Sequence, residues 1–202
     1  MTIPPDCPAS VGPISRYNSP MTSVRTFFVL FLLTAVASPA LAQGGDVSRA
    51  ELEDGGTATV VEVVDGDTIV LDTGRQVLLV GIQAPKLPLG RHGFEKWPLA
   101  DEAKAALEDL VLGRAVTLKY GGQKVGRHNR LLAHLFTLDG RWIQGTLLRN
   151  GHARVYSFAD NRSLVAEMLS REAVSRQRQN GIWSHPYYVV LDLVTSADHL
   201  DR

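Results

Sequence analysis

The sequence predicts a mainly β protein of the α+β class, a small antiparallel barrel with helices packed outside it. Strand-like segments dominate the first half of the main domain and helices close it, without the strand–helix alternation of a parallel sheet. The chain has 202 residues and is 45% hydrophobic, which suffices for one ordinary domain and excludes a disordered chain. Its 21 basic and 21 acidic residues cancel, which excludes proteins that act through global basicity, such as nucleic-acid coats.

Five strand-like segments supply the predicted barrel. The first two flank Asp65-Gly66, a dipeptide typical of hairpin turns, and Thr73-Gly74 marks the next turn. β-branched and apolar residues predominate in each segment, which favours extended backbone. The predicted strands cover residues 57–64, 67–71, 76–82, 115–120 and 131–138.

Three helices are predicted from helical apolar spacing and from stop signals. The first covers 100–112, the second 143–149 and the third 163–178, and each is followed by a glycine or an Asn-Gly pair. The apolar face of the first comprises Ala103, Leu107, Leu110 and Val111, and that of the third Leu164, Met168, Leu169 and Val174. Trp142 and Trp183 are expected in the core.

The N-terminal region has the pattern of a secretory signal peptide. Arg25 precedes an apolar run at 26–37, and small residues end in Ala40 and Ala42. The run is shorter than the ~20 residues of a membrane span, although an uncleaved anchor is the alternative. We expect a true start at Met21, cleavage after Ala42 and a periplasmic or secreted protein.

The expected organisation is a leader at 1–42, a linker at 43–56, the main domain at 57–183 and an extension at 184–202. Residues 187–194 of the extension are strand-like, and they are either an added strand or a docking segment for a protein partner. Within the domain, residues 119–178 carry eleven basic and four acidic residues. A basic face and evenly solvated charges both fit that count.

Five motifs lie along the predicted domain: VDGDT at 64–68, GIQAP at 81–85, RLLA at 130–133, LRNGHA at 148–153 and GIW at 181–183. In order and spacing they resemble segments of the thermonuclease (staphylococcal nuclease-like) family. The resemblance covers 57–183 and implies an OB-fold, a five-stranded antiparallel barrel with three packed helices. In active members of the family, it also implies Ca²⁺-dependent cleavage of DNA and RNA.

The resemblance implies that some of the family's site residues are retained in this sequence and that others are replaced. Asp67 stands where the family has a calcium ligand, and Gln83 where it has a second carboxylate ligand. Lys86 stands where the family has a glutamate proposed as general base. Leu78 replaces a phosphate-binding arginine, whereas Arg130 keeps the second functional arginine.

Other site positions follow from the same resemblance. His128 replaces a tyrosine two residues before the retained arginine, and it is either a proton donor or base or an exposed loop histidine. Arg127 flanks the predicted pocket, and Tyr156 and Phe158 lie near the aromatic pair that stacks on substrate.

These replacements weaken the family chemistry. Ca²⁺ takes six to eight oxygen ligands, so Asp67 with the Gln83 amide is a poor cage, and a lysine is a poor general base at neutral pH. Since Asp67, Lys86 and Arg130 sum to +1, Lys86 is expected either to replace the cation in a metal-free anion pocket or to extend into solvent. The sequence thus predicts a nuclease-like protein with weak or absent Ca²⁺-dependent phosphodiesterase activity. The alternative is a non-catalytic OB-fold module that binds single-stranded nucleic acid, another polyanion or a protein partner.

Overall fold

Five strands of this chain close into a barrel. The computed structural model describes residues 48–188, so the expected signal peptide, its cleavage site and residues 189–202 lie outside the described residues. The barrel order is β1-β2-β3-β6-β5, and β4 and β7 form a separate two-stranded sheet. The strands are β1 (Glu53–Asp65), β2 (Thr68–Leu71), β3 (Gln76–Leu79), β4 (Ile82–Gln83), β5 (Ala115–Tyr120), β6 (Leu131–Thr137) and β7 (Arg154–Val155).

The barrel confirms the predicted fold class, with one pairing of the opposite sense. Pairs β1–β2, β2–β3, β5–β6 and β1–β5 are antiparallel as expected. The β3–β6 pair is parallel, with Val77 opposite Leu131 and Leu79 opposite Ala133. A parallel pair needs a long connection, and the segment from 80 to 130, which contains a helix and β5, provides it.

Two strand boundaries differ from the sequence prediction. β1 begins at Glu53, inside the expected linker, because Glu53 and Asp54 pair with Tyr120 and Lys119 of β5. The predicted strand at 76–82 is broken by a turn at Gly81, which has φ of 84°. A Cβ at Gly81 would lie 2.3 Å from the Met168 side chain, so the chain leaves the barrel here only with glycine.

Three helices pack against the barrel, as predicted. They are α1 (Ala100–Val111), α2 (Ile143–Arg149) and α3 (Val165–Gln177). In α3 the predicted apolar face is wrong at Leu169, which is 51% exposed. Glu172 takes the buried position instead, because its carboxylate accepts hydrogen bonds from the Val155 backbone N–H and from Arg176.

The core joins the barrel interior to the helices. Ile69 and Leu79 of the barrel and Leu107 and Leu147 of the helices are at most 1% exposed, and Trp142 is buried among them as predicted. A smaller cluster contains Ile182, Trp183 and Tyr188, which confirms the placement of Trp183. No helix within residues 48–188 is long and apolar enough to cross a bilayer.

Candidate nucleic-acid interface

A cleft of 780 Å³ opens where the β1–β2 turn meets the segments after β4, before β6 and after β7. Those segments bring together most of the site residues predicted from the sequence. Asp67, Leu78, Gln83, Lys86, Arg127, Arg130, Tyr156 and Phe158 all line the cleft. Predicted positions separated by up to 91 residues in the sequence therefore share one surface.

The β1–β2 turn buries two carboxylates at the floor of the cleft. Asp65 is 4% and Asp67 1% exposed. The Ala84 backbone N–H donates to Asp67 Oδ2 at 2.8 Å, and the Asp67 N–H donates to Asp65 Oδ1 at 3.2 Å. A Cβ at Gly66 would lie 2.7 Å from that of Ala84, so glycine lets the turn pack this closely.

The Lys86 side chain reaches back to these carboxylates. Its Nζ lies 2.6 Å from both Asp67 Oδ1 and Asp67 Oδ2, and 3.4 Å from Asp65 Oδ2. The Lys86 side chain is only 21% exposed. Of the two outcomes expected from the sequence, the structure thus has the ammonium facing Asp67 rather than extending into solvent.

Burial and pairing act in opposite directions on the two carboxyl groups. Desolvation raises the pKa of Asp67 to about 6, even though attraction to Lys86 lowers it. Burial also acts to raise the pKa of Asp65, but Lys86 and hydrogen bonds to Asp67 and Thr68 outweigh it and hold that pKa below its usual value. The charge sum of +1 from the sequence omitted Asp65. With Asp65 included, ionised Asp65, Asp67, Lys86 and Arg130 sum to zero.

Gln83 is engaged by a residue that the sequence reasoning missed. Arg154 donates to Gln83 Oε1 from Nε at 3.0 Å and from Nη2 at 2.8 Å. The two residues are opposite each other in the β4–β7 sheet, whose two-residue strands leave no periodic signal in the sequence. Arg154 directly follows the LRNGHA motif, and this proximity was the available signal in the sequence that Arg154 belongs to the site.

The donor atoms of this site do not fit Ca²⁺. Both Asp67 oxygens already accept from the Lys86 ammonium, and the Gln83 oxygen accepts from Arg154. Calcium would need six to eight oxygens, several of them anionic. Residues 48–188 contain no group of three or more His, Cys, Asp or Glu side chains that could hold a metal ion.

The segment before β6 contributes cations to the cleft. Arg127 is exposed, whereas Arg130 is half-buried and its Nε has no hydrogen-bond partner among the described residues. His128 is exposed, has φ of 61°, and is not among the residues that line the cleft. The structure therefore brings the two arginines together with Lys86 and leaves His128 outside.

Tyr156 and Phe158 provide exposed aromatic surface on the cleft. They are 41% and 63% exposed and meet edge to face, with ring centroids 5.0 Å apart. The Tyr156 N–H donates to the Gly81 carbonyl at 2.9 Å, and Ser157 Oγ donates to the Asn161 carbonyl at 2.7 Å. These bonds fix the backbone beneath the two rings, and exposed rings on a fixed backbone suit base stacking.

Comparisons with known proteins agree with this geometry. The sequence model of the staphylococcal nuclease homologue family matches residues 76–185, just over half of the chain. A protein of Escherichia coli named as an uncharacterized endonuclease is 33% identical over 128 residues, which cover 62% of this chain and 75% of that protein. Endonuclease YncB of Bacillus subtilis is 30% identical over 138 residues, covering 65% and 63% of the two chains. The thermonuclease of Staphylococcus hyicus is 25% identical over 132 residues, covering 64% and 76%.

Proposed function

Because the chain belongs to the staphylococcal nuclease family, we propose that it is an exported nuclease-like protein that binds nucleic-acid phosphates without a metal ion. Its Ca²⁺-dependent phosphodiesterase activity is weak or absent. The observation that carries this proposal is the Lys86 ammonium, 2.6 Å from both oxygens of Asp67. A fixed cation there performs the electrostatic role of a bound metal ion, which is to balance the buried carboxylates.

The replaced residues explain why efficient hydrolysis is not expected. An ammonium held by two carboxylates donates hydrogen bonds and has no lone pair with which to accept a proton from water. Leu78 supplies no charge to a phosphate in the cleft. The loss of one electrostatic group of this kind costs about a hundredfold or more in rate.

Single-stranded nucleic acid is the ligand class that fits the cleft. Arg127 and Arg130 offer cations for the phosphates, and Tyr156 and Phe158 offer faces for the bases. Lys86 acts indirectly, because its ammonium offsets the negative charge of the two carboxylates at the floor of the cleft. Stacking on aromatic side chains is tolerant of base sequence and requires unpaired bases. Arg130 is half-buried and lines the cleft, so its guanidinium can form a charge-assisted hydrogen bond with a phosphate there.

A non-catalytic binding module is the second candidate. It is favoured by the pairs Lys86–Asp67 and Gln83–Arg154, because the side-chain oxygens that a metal ion would need already accept hydrogen bonds in these pairs. This module would bind single-stranded nucleic acid or another polyanion. A protein partner at 187–194 stays a prediction, because most of that segment lies outside the described residues.

A nuclease assay combined with a binding assay tests the proposal. Purified protein from Gln43 onward is incubated with single-stranded DNA, with Ca²⁺ or with EDTA, and binding is measured by fluorescence anisotropy in EDTA. We expect binding in EDTA that weakens with salt and falls in Lys86→Ala and Arg130→Ala, with little or no cleavage in either condition. Rapid Ca²⁺-dependent cleavage, or binding that neither substitution changes, would contradict the proposal.

A further inference from the structure

The loop between β4 and α1 builds a column of planar side chains beside the cleft. Arg91 Cζ lies 3.7 Å from the centroid of the Phe94 ring. Phe94 in turn stacks on Trp97, with centroids 6.5 Å apart and an angle of 19° between the planes. Trp97 contacts Tyr187 at 6.0 Å. The column therefore runs from the cleft, where Arg91 lies, towards the smaller core cluster.

The Arg91 guanidinium is fixed in orientation although the residue is exposed. Its Nε donates to the Pro88 carbonyl at 3.0 Å and its Nη2 to the Leu87 carbonyl at 2.6 Å. Phe94 covers one face of the planar group. Arg91 is exposed and lines the cleft, so a ligand in the cleft can reach this residue.

These contacts are unusual for a surface arginine. An exposed arginine usually samples many rotamers, and ordering it costs entropy when a ligand binds. Here two backbone carbonyls and an aromatic ring have already ordered the side chain. Guanidinium planes stack on nucleobases in single-stranded recognition, and a pre-ordered plane gives more affinity because less freedom is lost.

We propose that Arg91 is a base-stacking residue, forming a second base subsite separate from Tyr156 and Phe158. The ligand is a nucleobase of a single strand whose phosphates contact Arg127 and Arg130, so the inference rests on the proposed function. Phe94 is a positioning residue that holds the guanidinium plane. Leu89, which is 52% exposed and also lines the cleft, adds apolar surface to the same subsite.

Substitution of Arg91 by lysine separates stacking from charge. Arg91→Lys keeps the positive charge but removes the plane, and Arg75→Lys is a matched control at an exposed arginine that does not line the cleft. The probes are fluorescein-labelled hexathymidylate and an abasic hexamer of the same charge, both titrated in EDTA. Wild type should bind hexathymidylate more tightly than the abasic hexamer.

Arg91→Lys should weaken hexathymidylate binding about fivefold or more and leave abasic binding unchanged, because only the bases stack. Arg75→Lys should change neither affinity. Phe94→Leu should weaken hexathymidylate binding selectively, and Phe94→Tyr should retain it. Equal loss on both probes, or no loss in Arg91→Lys, would refute the stacking role while leaving phosphate binding intact. Failure of wild type to bind either probe would overturn the proposed function and this inference with it.

Discussion

Replacing Lys86 by methionine removes the ammonium from the two buried carboxylates and keeps a side chain of similar length. Asp67 is 1% exposed and Asp65 4%, so neither carboxylate gains much solvation in exchange. Removing one partner of a buried pair costs about 3–5 kcal/mol. Because the Lys86 side chain is 21% exposed, we expect the lower end of that range, about 3 kcal/mol at pH 7.5.

The cost should depend on pH with a defined sign. The pKa of Asp67 is raised to about 6 in the folded protein, with 3.8 as its ordinary value, so this group favours the folded state in acid and loses that contribution as pH rises through 6. Without the ammonium, the pKa of Asp67 rises further, since Lys86 lowers it. The stability difference between wild type and Lys86→Met should therefore grow from pH 4 towards pH 8 as Asp67 ionises. Part of the difference should remain at pH 4, because Lys86 also holds the pKa of Asp65 below its ordinary value.

Urea unfolding followed by tryptophan fluorescence measures this difference, because Trp142 and Trp183 are buried. Lys104→Met is the matched control, since Lys104 forms a half-exposed pair with Glu108 at 3.8 Å on α1. Such pairs contribute about 0.2–1 kcal/mol. If Lys86→Met costs no more than Lys104→Met at pH 7.5, or if its cost does not change with pH, the ammonium is not where the structure has it.

Three further predictions concern the metal site, acid stability and export. The triple variant Leu78→Arg, Gln83→Asp and Lys86→Glu restores the family residues and should bind Ca²⁺ weakly, because Arg154 would pair with the new aspartate. Adding Arg154→Gln to it should tighten Ca²⁺ binding in calorimetry. Equal Ca²⁺ affinities of the two variants would contradict this role of Arg154. Burial lowers the pKa of His134 to about 4, so its neutral form contributes stability that is lost as pH falls from about 6.5 through 4, by up to about 3 kcal/mol. His134→Phe should flatten the acid limb of urea unfolding and the control His128→Phe should not; parallel acid limbs for wild type and His134→Phe would show that His134 is not buried in its neutral form. Intact mass of exported protein should correspond to a chain that starts at Gln43, whereas a mass that includes 26–37 would indicate a membrane tether.

Local signals in the sequence were sufficient for most of the fold. Features that depend on neighbouring residues were predicted. They are the hairpin at Asp65-Gly66, the helix ends at Gly113 and Asn150-Gly151, and the buried tryptophans. The parallel β3–β6 pair was not, because it depends on how distant segments meet. Leu169 was misassigned because its spacing fits an apolar face that Glu172 occupies through hydrogen bonds to β7 and Arg176.

Most of the predicted site residues line the cleft, but His128 does not. The roles of Asp65 and Arg154, and the pairs that they form, were not predicted. The sequence left two orientations of the Lys86 side chain open, towards the site or into solvent. Which of them it adopts depends on how deeply the β1–β2 turn is buried. Arg154 was missed because its partner Gln83 is 71 residues away and the two strands that align them have two residues each. Long-range side-chain pairs of this kind leave no periodic pattern in one sequence.

The pairing of Lys86 with Asp67 and Asp65 also has an evolutionary consequence. In this chain a side chain, Lys86, offsets the charge of the buried carboxylates, so this balance does not depend on an ion taken from the medium. A return of Lys86 to glutamate by a single change would add a third carboxylate beside two that are buried, with Gln83 still held by Arg154. A return towards a metal site that began with this one substitution would therefore pass through a less stable protein.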